Sequence, residues 1–243
     1  MAPDVRVVTF NAAAGNPRIT TPQEAFLDLP FYREAFAGGP RAPLLALQEV
    51  GLGQARALRR VAGTAVVLQR RRPGLGNALV VPDRYEILAR RSGYYVLPQL
   101  RGIGNALRSG GRNWRQYGEL RMWVQARLRD REAGRELTLL TTHVSADGSL
   151  KVPQIDAIVG RAKAAGPPVI LAGDFNVPAG RERGRDVPAA RLLAQLPDMA
   201  ATSGSIDYVL AGGFEPVSSR IWTELVESAV SDHPARDATL RYS

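Results

Sequence analysis

Apolar, β-branched runs, nearly all too short for a typical three-turn helix, recur along the whole chain, and they constrain the fold more than any other feature. They are Val5–Phe10, Pro43–Leu47, Thr64–Gln69, Asn77–Val81, Glu86–Leu97, Leu120–Leu128, Leu137–Thr142, Val169–Ala172, Ile206–Ala211, Phe214–Trp222 and Ala235–Leu240. Val, Ile, Tyr and Thr favour a pleated, half-buried surface, so each run is expected to be a strand. Between them lie amphipathic stretches that predict helices. One is Gln23–Phe36, entered at Pro22, a good first-turn residue. The others are Gly53–Ala62, Val152–Ala165 (stopped by Pro167-Pro168) and Val187–Leu196. Asp130–Gly134 reads as a turn, and residues 98–118, rich in Gly, Arg and Asn, read as a long loop. No internal repeat, heptad or linker stands out. The loop therefore reads as an insertion in one domain spanning residues 1–243, of mixed α/β class.

Composition removes several chemistries. The 243 residues contain no cysteine, which excludes disulfides, thiolate-bound zinc, iron–sulfur clusters and a cysteine nucleophile. There are two histidines, so any imidazole chemistry must use His143, His233 or both. The net charge is +9, and all basic residues but Lys151 and Lys163 are arginine. That balance favours an anionic partner, although an arginine-biased genome would give the same total. No apolar run approaches the ~18 residues needed to span a bilayer. Residues 1–10 show no basic leader followed by an apolar stretch, so the expected compartment is cytoplasmic by default, or secreted if a leader has been removed.

Function is to be sought where the apolar runs stop, because ligands of α/β sheets collect beyond strand ends. The first run ends in Asn11, the second in Gln48-Glu49, and Leu137–Thr142 ends in His143. Val169–Ala172 ends in Gly173-Asp174-Phe175-Asn176. Asp207 precedes Tyr208-Val209-Leu210, and Ser231-Asp232-His233-Pro234 precedes the last run. Taken singly, these are turn residues and solvated rim charges. Together, Asn11, Glu49, Asp174, Asn176 and Asp232 form an oxygen-only set that suits a hard cation such as Mg²⁺ and not zinc. Both histidines fall among these sites.

In this order the motifs resemble the endonuclease/exonuclease/phosphatase superfamily, which includes pancreatic-type deoxyribonuclease, inositol polyphosphate phosphatases and neutral sphingomyelinases. The matching residues are Thr9-Phe10-Asn11, Leu47-Gln48-Glu49, Gly76-Asn77-Ala78-Leu79, Thr142-His143, Gly173-Asp174-Phe175-Asn176, Ile206-Asp207-Tyr208 and Ser231-Asp232-His233-Pro234. The resemblance implies a four-layer α/β sandwich of the deoxyribonuclease I type, with two mostly antiparallel or mixed sheets flanked by helices. It implies Glu49 as principal Mg²⁺ ligand, helped by Asn11 and Asp232, with Mn²⁺ as a substitute ion. Asp174 and Asn176 would position the attacking water and the phosphate oxygens. His233 would be general acid or base, oriented by Asp207. His143 would bind or protonate around the scissile phosphate, and Asn77 and Arg121 would contact phosphate oxygens. Phosphate-ester hydrolysis independently calls for a charge-neutralising metal, an in-line water and a histidine titrating near neutrality.

Within the family, Ala13, Val50-Gly51 and Thr141-Thr142-His143 depart from the pattern of AP endonucleases. Charge distribution then points to extended polyanions. Six arginines and no acid lie between Arg56 and Arg72, and nine arginines against Glu119, Asp130, Glu132 and Glu136 lie between Arg101 and Glu136. The second segment holds Arg112, Trp114, Arg115 and Tyr117, an aromatic and basic mixture suited to backbone contact and base stacking. The expectation is a monomeric nuclease acting on DNA. A phosphatase or phospholipid phosphodiesterase with a phosphorylated lipid or inositol substrate is the alternative. The intact set of ligands and histidines argues against a non-catalytic binding member.

Overall fold

The computed structural model describes residues 3–13, 25–39, 41–60, 64–70, 75–96, 100, 104, 121–146, 148–177, 199–202, 206–227 and 230–243. Strand β1 (Val5–Asn11) is buried on both faces, which is why apolar residues stand at both odd and even positions of its sequence and do not strictly alternate with polar ones. Val5 and Val7 enter one core while Val8 and Phe10 enter another. The remaining strands are β2 (Leu44–Val50), β3 (Thr64–Arg70), β4 (Gly76–Pro82), β5 (Tyr85–Tyr94), β6 (Met122–Asp130), β7 (Arg135–His143), β8 (Val169–Asp174), β9 (Met199–Thr202), β10 (Asp207–Gly212), β11 (Phe214–Trp222) and β12 (Ala235–Tyr242). The helices are α1 (Pro30–Ala37), α2 (Leu52–Arg60), α3 (Gly148–Ala165) and α4 (Glu224–Glu227), with a 3₁₀ turn at Ala25–Asp28.

These strands form two six-stranded sheets, ordered β11-β12-β1-β2-β4-β3 and β5-β6-β7-β8-β10-β9. The inner faces of the two sheets share one core, from Val7, Leu44 and Leu79 to Val124, Leu139 and Ile170. A second core packs α1 and α2 on the outside of the first sheet, and a third packs α3 on the outside of the second. The expected four layers are therefore present. In each sheet the central pair is parallel (β1 with β2, β7 with β8) and the other pairings are antiparallel.

That arrangement decides where the site lies. Asn11 pairs with Gln48, and His143 with Asp174, so each parallel pair brings two strand ends side by side. Antiparallel β4, β10 and β12 begin at the same end, as the pairings Val50 with Gly76, Asp207 with Asp174 and Thr9 with Arg236 require.

Several element boundaries differ from the sequence expectation. The helix expected over Gln23–Phe36 is broken into the 3₁₀ turn and α1, because Pro30 lacks an N–H and its ring clashes with the preceding turn. Helix α3 begins at Gly148, before the expected Val152, and Pro153 lies inside it. Strand β5 stops at Tyr94, and β6 runs from Met122 to Asp130. The short elements β9 and α4 were not anticipated. The expected helix Val187–Leu196 and nearly all of loop 98–118 lie outside the described residues.

Candidate active site at the shared strand ends

Asp174 at the end of β8 is the hub. Its Oδ2 accepts from Asn11 Nδ2 at 3.1 Å, and its Oδ1 accepts from the Asn176 backbone N–H at 2.8 Å. His143 Nε2 lies 3.4 Å and His233 Nδ1 3.9 Å from the same Oδ2. Burial, then the neighbouring Asp207 charge, raise its carboxyl from 3.8 to about 7 against the opposing pull of His233. A half-protonated carboxylate at neutral pH can accept a proton.

The two histidines are held differently. His233 Nδ1 sits 3.2 Å from Asp207 Oδ2, and its backbone N–H donates to Ser231 Oγ at 3.1 Å. Burial opposes its charge, but the hydrogen bond and charge of Asp207, with Asp174 and Asp232, outweigh it and raise His233 from 6.5 to about 9. His143 is buried, and desolvation followed by the charges of Arg121 and His233 hold it well below its ordinary range. Arg121 Nη1 abuts its ring edge, 2.8 Å from Nδ1 and 2.7 Å from Nε2, a contact that only a neutral imidazole can accept. Asn176 Nδ2 lies 3.3 Å from His143 Nε2 and donates to the Val144 carbonyl at 2.9 Å.

Glu49 completes the cluster, with Oε1 3.6 Å from His143 Nδ1. Burial raises its carboxyl, and Arg121, His233 and a hydrogen bond from Asn11 reverse this only in part. Backbone geometry is unusual at three of these positions. Glu49 and Asn176 hold φ of 52° and 49°, in the left-handed region that non-glycine residues rarely occupy. Gly173 has φ of 154°, and a Cβ there would meet the Thr142 carbonyl oxygen at 2.1 Å.

A model of the endonuclease/exonuclease/phosphatase family matches residues 9–233, from the residue before Phe10 to His233 itself. The chain belongs to this family. Its members are phosphoester hydrolases, and the fold comparisons agree with the assignment. An endonuclease/exonuclease/phosphatase from Bacteroides vulgatus superposes with TM-score 0.73 at 18% identity, covering 99% of each chain. D. rerio TDP2 complexed with a single strand DNA product gives 0.70 at 14% identity, covering 98% of this chain and 99% of that one. A mannosyl-6-phosphatase from Bacteroides thetaiotaomicron VPI-5482 gives 0.64 at 12% identity, covering 98% and 100%. Comparison with curated proteins finds no match.

For this family member the structure brings Asn11, Glu49, Arg121, His143, Asp174, Asn176, Asp207 and His233 together, while Asp232 lies beside His233 with Oδ1 3.9 Å from Nε2. Asn77 begins β4 at this end, but its side-chain amide is turned into the sandwich, donating to the Met122 carbonyl at 2.9 Å. Arg112, Trp114, Arg115 and Tyr117 lie outside the described residues.

Donor atoms of Asp174, Asp207 and His233 lie within 4.8 Å of one another and could hold a metal ion. Asp207 is already engaged by His233, however, with Oδ2 3.2 Å from Nδ1. The under-compensated Glu49 carboxylate, with the Asn11 amide oxygen and Asp232, is the better chemical fit to a hard cation. Among the described residues no helix is long and apolar enough to cross a membrane.

Sequence reasoning missed the supports of the site. Gln48 Nε2 donates to Thr141 Oγ1 at 2.9 Å and to Thr9 Oγ1 at 3.1 Å, tying β2 to β7 across the inter-sheet core. Lys151 Nζ donates to the Asn176 carbonyl at 2.6 Å, and Gln154 Oε1 accepts from the Ser145 N–H at 2.7 Å. The available signal was the polar residue inside an otherwise apolar run, since such groups are buried only when bonded.

Proposed function

We propose that this phosphoesterase is a nuclease that hydrolyses DNA phosphodiester bonds with Mg²⁺, or Mn²⁺ in its place. The observation that carries the reading is geometric: His143 Nε2 and His233 Nδ1 lie 3.4 and 3.9 Å from one carboxylate oxygen, Asp174 Oδ2, with Asp207 Oδ2 3.2 Å from the His233 ring. A neutral His143 and a cationic His233 both face Asp174, whose carboxyl is poised near neutrality. Catalytic acids and bases require pKa values set apart in this way.

Glu49, Asn11 and Asp232 would hold the divalent cation, which when bound neutralises charge on the non-bridging phosphate oxygens. His143 and Asn176 bind a phosphate oxygen, because a neutral imidazole and an amide donate hydrogen bonds without giving up a proton. Arg121 adds positive charge beside them. Asp174 orients the water for in-line attack and takes its proton at Oδ2. His233, fixed in tautomer by Asp207 at Nδ1, protonates the leaving oxygen from Nε2, so the protons balance over the cycle. Support for a nucleic-acid substrate comes from the +9 charge and the arginine-rich segments. It also comes from the similarity to a protein crystallised with a single strand DNA product.

A panel of supercoiled DNA, RNA, a phosphomonoester and phospholipids, each with Mg²⁺ or Mn²⁺ and with EDTA, tests the reading. Plasmid nicking that EDTA abolishes is expected. Absence of nicking with either ion sinks it. Turnover of a sugar or inositol phosphate, or of a phospholipid, well above that of DNA would install the phosphatase or phospholipid phosphodiesterase reading, which the similarity to a mannosyl-6-phosphatase favours.

A further inference from the structure

Within the arginine-rich segment 101–136, Arg127 and Arg129 lie on the outward face of β6. Starting beside the site at Arg121, every second residue of β6 points to the outside of the second sheet: Trp123, Gln125, Arg127, Arg129. The strand pattern shows this alternation, with Ala126 and Leu128 buried and Arg127 and Arg129 exposed. Successive outward positions are about 6.6 Å apart along a strand. On edge strand β5, Arg91 pairs with Gln125 and Ala89 with Arg127, which widens the same face. The guanidinium of Arg161 on α3 stacks 3.7 Å from the centre of the Trp123 ring. Gly93 lies opposite Trp123, where a Cβ would meet the ring at 2.9 Å, so the indole lies flat against bare β5 backbone.

Farther from the site this face deepens into a groove of about 430 Å³ between β5 and the Gly166–Pro168 turn after α3, lined by Arg90, Arg91, Gln125, Arg127, Glu136 and Thr138. Its charge balance is positive. Among the described residues Arg90, Arg91 and Arg161 pair with no acid. Arg127 and Arg129 share Glu136, and Arg129 also reaches Glu86. Exposed pairs of this kind are worth about 1 kcal/mol or less, so Arg127 can exchange its carboxylate for a phosphate.

We propose that this face of β5 and β6 binds the phosphate backbone of a nucleic-acid strand leading away from the site, with Arg161, Arg91 and Arg127 as successive contacts. The proposal rests on the nucleic-acid reading above and adds a binding surface that takes no part in the chemistry. The groove is bounded by β5 on one side and the turn after α3 on the other, with the outer face of β6 and β7 as its floor, a channel that suits one flexible strand.

The test is fluorescence anisotropy on the full chain in EDTA, with labelled oligothymidylates of 4 and 16 nucleotides, comparing wild type, R91Q and the double variant R91Q/R127Q. A urea melt confirms that each variant is folded. For the double variant the 16-mer should bind about tenfold more weakly near physiological salt, and the log–log salt slope should fall by about 1.4, the counterion-release value for two lost phosphate contacts on a single strand. R91Q alone should lose about half of that slope, and 4-mer binding should be unchanged. Unchanged 16-mer affinity and slope would overturn the proposal. So would a 4-mer weakened as much as the 16-mer, or wild type preferring phosphatidylserine–phosphatidylcholine vesicles to the 16-mer. If wild type binds neither oligonucleotide, the nucleic-acid reading falls with it; if wild type binds and the variants match it, only this surface does.

Discussion

At the end of the sandwich where β1 begins, Arg84 is fully buried against Asp130, donating from Nη2 at 2.6 Å and from Nε at 3.0 Å. Its other N–H groups reach the Asp4 and Pro3 carbonyls, and Tyr242 and the turn N–H groups of Glu132 and Ala133 supply the remaining donors to Asp130. Burial pushes Asp130 up, but the hydrogen bonds and charge of Arg84 prevail and hold it below the usual carboxylate range. At the end where β1 finishes, Asp174 accepts only neutral hydrogen bonds and has a like charge beside it, so burial prevails and its carboxyl rises to about 7. The same two sheets thus neutralise buried charge completely at one end and leave it unresolved at the other. The unresolved end is the one that can move protons.

The largest expected effect is at the unresolved end. His233→Ala should lower turnover by about 10²–10⁴-fold, the range for loss of a general acid or base, and Asp207→Asn should follow it in the same direction. Near-wild-type kcat in either variant would remove that residue from the mechanism. At the resolved end, Asp130→Asn should cost about 3–5 kcal/mol in a urea melt, because Arg84 is left charged and buried without its partner. Activity per folded molecule should be unchanged. A loss under 1 kcal/mol would mean that the pairing there is not what closes the end.

Asp174→Asn reverses the pattern. It removes a carboxylate that is hard to keep charged, so activity should collapse while stability at pH 7 in EDTA holds or improves. A marked drop in melting temperature would contradict the contrast. The pH dependence differs in sign as well. Asp174 gains proton affinity on folding, so its contribution to stability falls as pH rises from about 4 to about 7. Asp130, depressed, stabilises above the ordinary carboxylate range, and that contribution is lost as pH falls through its folded value. Urea melts across pH 3–8 in EDTA should therefore show a shallower downward slope in Asp174→Asn, Glu49 and His233 keeping part of it, and an undiminished one in Asp130→Asn. The smallest effect belongs to Arg220→Ala on exposed β11, whose ion pair with Glu224 and stacking on Trp222 should each be worth about 1 kcal/mol or less.

Much of this was legible beforehand, for physical reasons. Strands buried on both faces, such as β1, β4 and β8, announce themselves as short, largely apolar runs, and the polar residues at the site ends of β1 and β8, Asn11 and Asp174, mark where the site lies. Pro30 contained the break in the first helix, and reading Gln23–Phe36 as continuous gave amphipathic spacing more weight than the missing N–H. The unlike protonation of His143 and His233 was not legible, since it depends on burial and on Arg121 and Asp207, which are distant in sequence from the rings they tune. Arg84 and Asp130 were invisible as a pair for the same reason, because a turn arginine and a strand-end aspartate look like surface until the sheets close over them.

Gly173 carries a consequence for how this enzyme can change. With the Thr142 carbonyl where its side chain would begin, every other amino acid must push β7 and β8 apart at the point where His143 and Asp174 stand side by side. In a saturation library selected for activity this codon should return only glycine. Adaptation to new substrates would then have to proceed through the loops beyond these strands and the outer face of the second sheet.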